Sequence, residues 1–232
     1  MGASCTKHVQ RRAVVLSPEA RRTGVSLALL KHLQRTYNIS DQLSTAEVIR
    51  DIINPVTASQ GCSYCDLTEA HTDAGGIAFV DVPHGMISHA WMGKFNAFVE
   101  AIEQHVMRQP KPAHYYMLID LCALNQHALA RIRRLDFNCL GDTLSAMVTG
   151  PTEHTLVLVL DEWDRAVLLT RCWCLFEVAV TQRCGVRIVG ALQPAKLQAL
   201  FDAIAEDVEK AAALVELLDV ERISATEPSD KE

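Results

Sequence analysis

Thr155-Leu156-Val157-Leu158-Val159-Leu160, running straight into Asp161-Glu162-Trp163, is the stretch on which the fold turns. Six such residues bounded by a polar turn read as a β-strand. On its carboxyl side a helical segment, Arg171–Arg183, leads to a second apolar run, Val186–Val189. On its amino side the same alternation recurs. A helix is expected around Leu135–Val148, and before it a strand, Tyr115–Leu121, set off by the Pro110–Pro112 turn. Earlier still, Lys94–Met107 places Phe95, Phe98, Val99, Ile102 and Val106 on one helical face, and Gly85–His89 reads as a strand. Strands separated by helix-length segments argue βαβ units, a parallel sheet, right-handed crossovers and helices on both faces. The fold class predicted is α/β.

The flanks are less regular. Residues 1–43 form a basic N-terminal extension with one helical stretch around Val25–Tyr37. Residues 44–80 read as a helix, Thr45–Ile53, opened by Ser44 or Thr45 and closed before Pro55, followed by loop with room for a short hairpin. The α/β domain is expected to span 81–218, ending in a helical stretch after Pro194 whose apolar residues keep a 3–4 spacing; 219–232 is a polar tail.

Composition narrows the class. The chain has 232 residues, 49% hydrophobic and 22% charged, which suits one generous domain. Its longest apolar runs are too short to cross a bilayer, and no secretory pattern is seen at the start. Eight cysteines at irregular spacings, several inside apolar segments, fit a reducing cytoplasm better than a disulfide framework. The net charge of −6 is uneven: residues 1–38 carry seven cations against Glu19 alone, net +6, which leaves −12 for the rest. Nucleic acid is therefore not an expected partner, although the basic end suits an anionic membrane surface.

The unusual residues fall where the strands end. The first strand runs into Ser88-His89-Ala90-Trp91, the second into Asp120 and Asn125-Gln126-His127, and the third into Asp161-Glu162-Trp163. In an open parallel sheet these segments share the carboxyl edge, where ligands bind. Glu177 is the other informative residue. It is the one charge in Cys172-Trp173-Cys174-Leu175-Phe176-Glu177-Val178-Ala179-Val180, a helix apolar all round and so expected to be buried. A carboxylate there needs a partner, Arg171 or Arg165, or else a task. Trp173, one turn earlier, shares its face. Cys62-x-x-Cys65 with His71 lacks the ligands of a closed zinc site, so no metal is expected. Gly75-Gly76 makes no dinucleotide fingerprint, and Cys122 with His127 is more simply packing than a nucleophile and base.

Trp173-Cys174-Leu175-Phe176-Glu177-Val178 resembles the Trp-Cys-Leu-x-Glu-Leu segment of plant-type TIR domains. Around it, Asp142–Met147, Thr155–Leu160, the Trp-Cys-Leu helix and Val186–Val189 keep the order of the TIR second helix, third strand, third helix and fourth strand. Closer still is a TIR-like group from protists and algae, with Ser-His-Ala-Trp, Asp-x-x-x-x-Asn-Gln-His and Arg-x-Trp-Cys-Leu-x-Glu, here at 88–91, 120–127 and 171–177. The resemblance covers about residues 44–190. The chain departs from it in lacking a Phe-Arg-Gly continuation of the first strand and in its longer connection from Leu160 to Trp173.

This resemblance implies a flavodoxin-like three-layer α/β/α fold with strand order 2-1-3-4; the N-terminal helical extension, which has no counterpart in an ordinary TIR domain, is expected to pack beside it. It also implies an NAD⁺ nucleosidase, with NAD⁺ as substrate and no cofactor, whose catalytic residue is Glu177. Nicotinamide leaves as a neutral molecule from a cation, so no general acid is needed, and one carboxylate can stabilise the oxocarbenium-like transition state. Ser88, His89, Trp91, Asp120, Asn125, Gln126, Trp163 and Trp173 are the expected substrate-binding residues, with Trp91 or Trp163 stacking on a ring. The alternative is a non-catalytic adaptor acting by self-association. Finally, Met1-Gly2-Ala3-Ser4-Cys5-Thr6 matches the myristoylation pattern at Gly2, with Cys5 placed for a second acyl chain.

Overall fold

The computed structural model describes residues 23–128, 154–163 and 166–206. The helix expected at Leu135–Val148, the acylation residues Gly2 and Cys5, Arg165 and the polar tail lie outside them.

The alternation of strand and helix is realised as a six-stranded mixed sheet. Its four parallel strands are β3 (Gly85–His89), β4 (Tyr116–Ile119), β5 (Thr155–Val159) and β6 (Arg187–Ala191). Two short strands, β1 (Gly24–Ser26) and β2 (Val80–Asp81), extend the sheet beside β4, so that the order is β2-β1-β4-β3-β5-β6. Among the parallel four, the second strand in the chain lies outside the first, and the third and fourth follow on the other side. β1 is antiparallel to both β4 and β2.

That antiparallel pair corrects the expectation of a parallel sheet with a helical extension beside it. The extension contributes a strand before its helix. Three residues are too few to show a period, and the helical spacing that begins at Leu27 masks them. Ser26 makes the switch: it closes β1, and its hydroxyl caps α1 (Leu27–Thr36) by accepting from Leu29 N at 3.2 Å. Gly24 permits the crowding, since a Cβ there would lie 2.7 Å from Pro83 Cα and 2.9 Å from the Asp81 carbonyl oxygen.

Residues 44–68 are also more helical than expected. Ser44 and Glu47 form a capping box that opens α2 (Thr45–Val48). The helix does not stop before Pro55. It widens into a π turn over Ile49–Ile53, where Asn54 N donates to Ile49 O, and continues as α3 (Asn54–Thr57). Widening relieves the clash that a proline ring makes with the carbonyl four residues back. A second capping box, Ser63 with Asp66, starts α4 (Tyr64–Thr68) where loop was expected.

The remaining α-helices among the described residues are α5 (Phe95–Val106), α6 (Asp120–Ala123), α7 (Cys172–Arg183) and α8 (Pro194–Glu206). Because strand residues alternate faces, the sheet has two different sides. On one, Ile87, Met117, Ile119, Val157 and Val159 pack against Leu29, Leu30 and Leu33 of α1 and Phe95, Phe98 and Ile102 of α5. On the other, Met86 and Leu156 meet Trp173, Phe176 and Val180 of α7. No described helix is long and apolar enough to cross a membrane.

Candidate functional site

Glu177 sits in the middle of α7, with 3% of its surface exposed. The all-round apolar helix was expected to be buried on every side. Instead its buried residues are Cys174, Glu177 and Thr181, a narrow stripe at helical spacing, while Trp173, Phe176 and Val180 are only half-buried. Cys174 anchors the stripe, its Sγ donating to the backbone carbonyl of His89 at 3.6 Å. Thr181 Oγ1 donates to the Glu177 backbone carbonyl at 2.7 Å. Sequence reasoning missed both residues, though their spacing from Glu177 would have found them.

The carboxyl of Glu177 accepts one hydrogen bond, from the Trp173 indole N–H at 2.8 Å. The buried Ser88 hydroxyl faces it and favours its charge, yet Ser88 Oγ has no partner in hydrogen-bonding geometry. Among the described residues no arginine or lysine pairs with Glu177, Arg171 included. Burial therefore dominates and raises its pKa to about 8; the nearby Asp120 carboxylate raises it further, while Ser88 and Trp173 oppose the shift. Burial likewise pushes the Cys174 thiol up to about 12.

Asp120 stands at the end of β4, where the chain turns into α6. Its Oδ1 accepts from Leu121 N and its Oδ2 from the Trp91 indole N–H, both at 2.7 Å. Oδ1 also lies 3.7 Å from His89 Nδ1. His89 does not share the Glu177 side. Adjacent strand residues point to opposite faces, so Ser88 meets α7 while the His89 ring lies tilted against Phe98 of α5, ring centres 4.3 Å apart. Burial holds the His89 pKa below its ordinary value, against the pull of Asp120, and the imidazole is neutral. Neither of its ring nitrogens has a hydrogen-bond partner. A cavity of about 30 Å³ beside it, bordered by Lys94, Asp161 and Gln193, has room for about one water.

Ser88, Asp120, Trp173 and Glu177 are thus brought together, with His89 and Trp91 reaching Asp120 from the other face. Gln126 joins them from the loop after β4: its Nε2 donates to the Asp120 carbonyl at 3.2 Å and its buried Oε1 has no partner. Asn125 and His127 turn away. Asn125 Nδ2 donates to Gly61 O, and His127 Nε2 meets Thr57 Oγ1 at 2.9 Å, so both fasten α3 and the following turn to the domain. No hydrogen bond joins His127 to Cys122, whose thiol is fully buried and raised by that burial well above its ordinary pKa. Trp163 is half-buried after β5. Cys65 donates to Thr23 O, and the described residues hold no cluster of three metal-ligating side chains.

Five buried side-chain polar atoms of the described residues lack a partner, and four of them, on Ser88, His89 and Gln126, lie at this carboxyl edge. Each such atom costs about 1–3 kcal/mol. Compared with family models, curated proteins and solved structures, the chain matches none.

Proposed function

We propose that this chain is a TIR-like domain with a flavodoxin-like core that cleaves the nicotinamide–ribose bond of NAD⁺, Glu177 being its catalytic residue. One observation carries the reading. A carboxyl with no cationic partner among the described residues lies buried beside unpartnered polar groups, on the sheet edge where open α/β folds bind ligands. The strand order and the position of Glu177 on the helix after β5 support it. A group held near pH 8 is mostly protonated at neutral pH, and ionises when a cation enters its site. The nicotinamide ring of NAD⁺ brings that cation, so the substrate itself favours the carboxylate that the oxocarbenium-like transition state requires. Asp120 adds negative potential, and Trp173 must release Glu177 Oε1 for the ribose to approach. The test is incubation of the full chain with NAD⁺ at high protein concentration, following nicotinamide by chromatography. Release that rises with protein concentration and disappears in Glu177→Gln supports the reading; equal release by the variant refutes it.

A second reading, a non-catalytic module acting by self-association, is favoured by the 3% exposure of Glu177. It predicts concentration-dependent oligomers by light scattering without nicotinamide release.

The setting proposed is cytoplasmic, with Gly2 myristoylated and Cys5 or the basic extension as second anchor. Gly2→Ala is expected to move the chain from the membrane to the soluble fraction of its own cell; an unchanged distribution refutes anchoring.

A further inference from the structure

The opposite, amino-terminal edge of the sheet carries a second constellation. A cavity of about 740 Å³ opens there, within the size range of small-molecule sites. The starts of three strands line it: Tyr115 and Tyr116 at β4, Thr155 at β5 and Arg187 at β6. The His84 ring, just before β3, stacks on both tyrosines, at 5.5 Å from Tyr115 and 6.0 Å from Tyr116. Its Nδ1 accepts from Tyr116 N at 3.2 Å, so the neutral ring carries its proton on Nε2. Tyr115 is fixed in turn by His105, whose Nε2 lies 3.2 Å from the phenol oxygen. Gly85 makes room for it, since a Cβ there would stand 2.9 Å from that oxygen. The result is a preset aromatic wall.

Charge completes the site. Lys111 and Arg187 are exposed at its rim, and neither pairs with a described acid. Asp81, the one acid among the described lining residues, is turned back on its own chain, accepting from Val82 N at 2.8 Å. On a chain of net charge −6, two cations with no acidic partner among the described residues, set beside stacked rings, are a local inversion of sign. We infer that this cavity binds a small phosphorylated aromatic molecule of the nucleoside monophosphate class, the ring stacking on the half-buried His84 and Tyr115, which the buried Tyr116 backs, and the phosphate meeting Lys111 and Arg187. The site is separate from Glu177 by the length of the parallel strands, roughly 15 Å, and does not rest on the NAD⁺ reading.

The experiment is calorimetric titration of the full chain with adenosine monophosphate, adenosine and inorganic phosphate, repeated on Lys111→Gln/Arg187→Gln. Both substitutions are at exposed positions, and an unchanged Tm confirms that the fold is kept. Expected are measurable binding of adenosine monophosphate, at least about tenfold weaker binding of adenosine and of phosphate, and a loss of about tenfold or more in the double variant. The inference is overturned by no binding at millimolar ligand, by phosphate binding as tightly as the nucleotide, or by an affinity that the double variant leaves unchanged.

Discussion

The two faces of β3 differ at its carboxyl end by one residue and by almost everything else. His89 faces α5, where Phe95, Ile102 and Leu29, Leu30 and Leu33 of α1 are completely buried. Ser88 faces α7, where the fully covered strand contacts are few and the buried stripe of the helix is Cys174, Glu177 and Thr181. The first face is built for stability. The second gives up apolar burial to hold a carboxyl with no cationic partner among the described residues, the kind of arrangement on which the proposed site rests.

The sharpest test of that contrast is turnover. Glu177→Gln keeps the size and the Trp173 contact but removes the charge, so NAD⁺ cleavage is expected to fall about 10²–10³-fold, as for other lost electrostatic stabilisers. Ile102→Ala, on the opposite face, is expected to cost about 2–5 kcal/mol in denaturant unfolding while leaving turnover per folded molecule unchanged. Reversed outcomes would break the division between the faces.

Stability against pH sharpens it further. The folded pKa of Glu177, about 8, lies above its ordinary value of 4.5. Between those values the unfolded chain has released a proton that the folded chain keeps, so stability falls as pH rises from about 4.5 to about 8. Glu177→Gln abolishes this loss. Its stability relative to the parent is expected to rise by on the order of a few kcal/mol across that window and to level off above it. A flat difference between the two proteins would mean that the carboxyl is ionised and paired. The smallest expected effect belongs to Asp120→Asn. Removing that charge lowers the Glu177 pKa, and the rising limb of kcat/KM moves to lower pH without loss of the limb itself.

The buried stripe of α7 also shows how far the sequence was legible. Trp173 and Glu177 are four apart, so their hydrogen bond follows from helical geometry, and the four parallel strands follow from the apolar runs that end in polar turns. The bounds shifted by a residue or two where side chains took over: β4 stops at Ile119 because Asp120 accepts from Leu121 N and starts a helix. The three-residue β1 and the proline-crossing π turn were not legible, since neither has a period of its own and both exist because neighbouring elements hold them.

What the sequence determined by itself was periodicity and capping, which are local: apolar runs for strands, 3–4 spacing for α5, and the serine-led helix start at Ser44. What only the tertiary structure decided was partnership. Ser88 and His89 were placed in one group because they are neighbours in the chain, and the pleat sends them to opposite faces. Asn125 and Gln126 were grouped for the same reason, yet Asn125 fastens a distant turn and Gln126 closes on Asp120. That Glu177 lies against Ser88 and near Asp120 depends on β3 and β4 packing across α7. Those are contacts between residues far apart in sequence, and composition and spacing do not encode them.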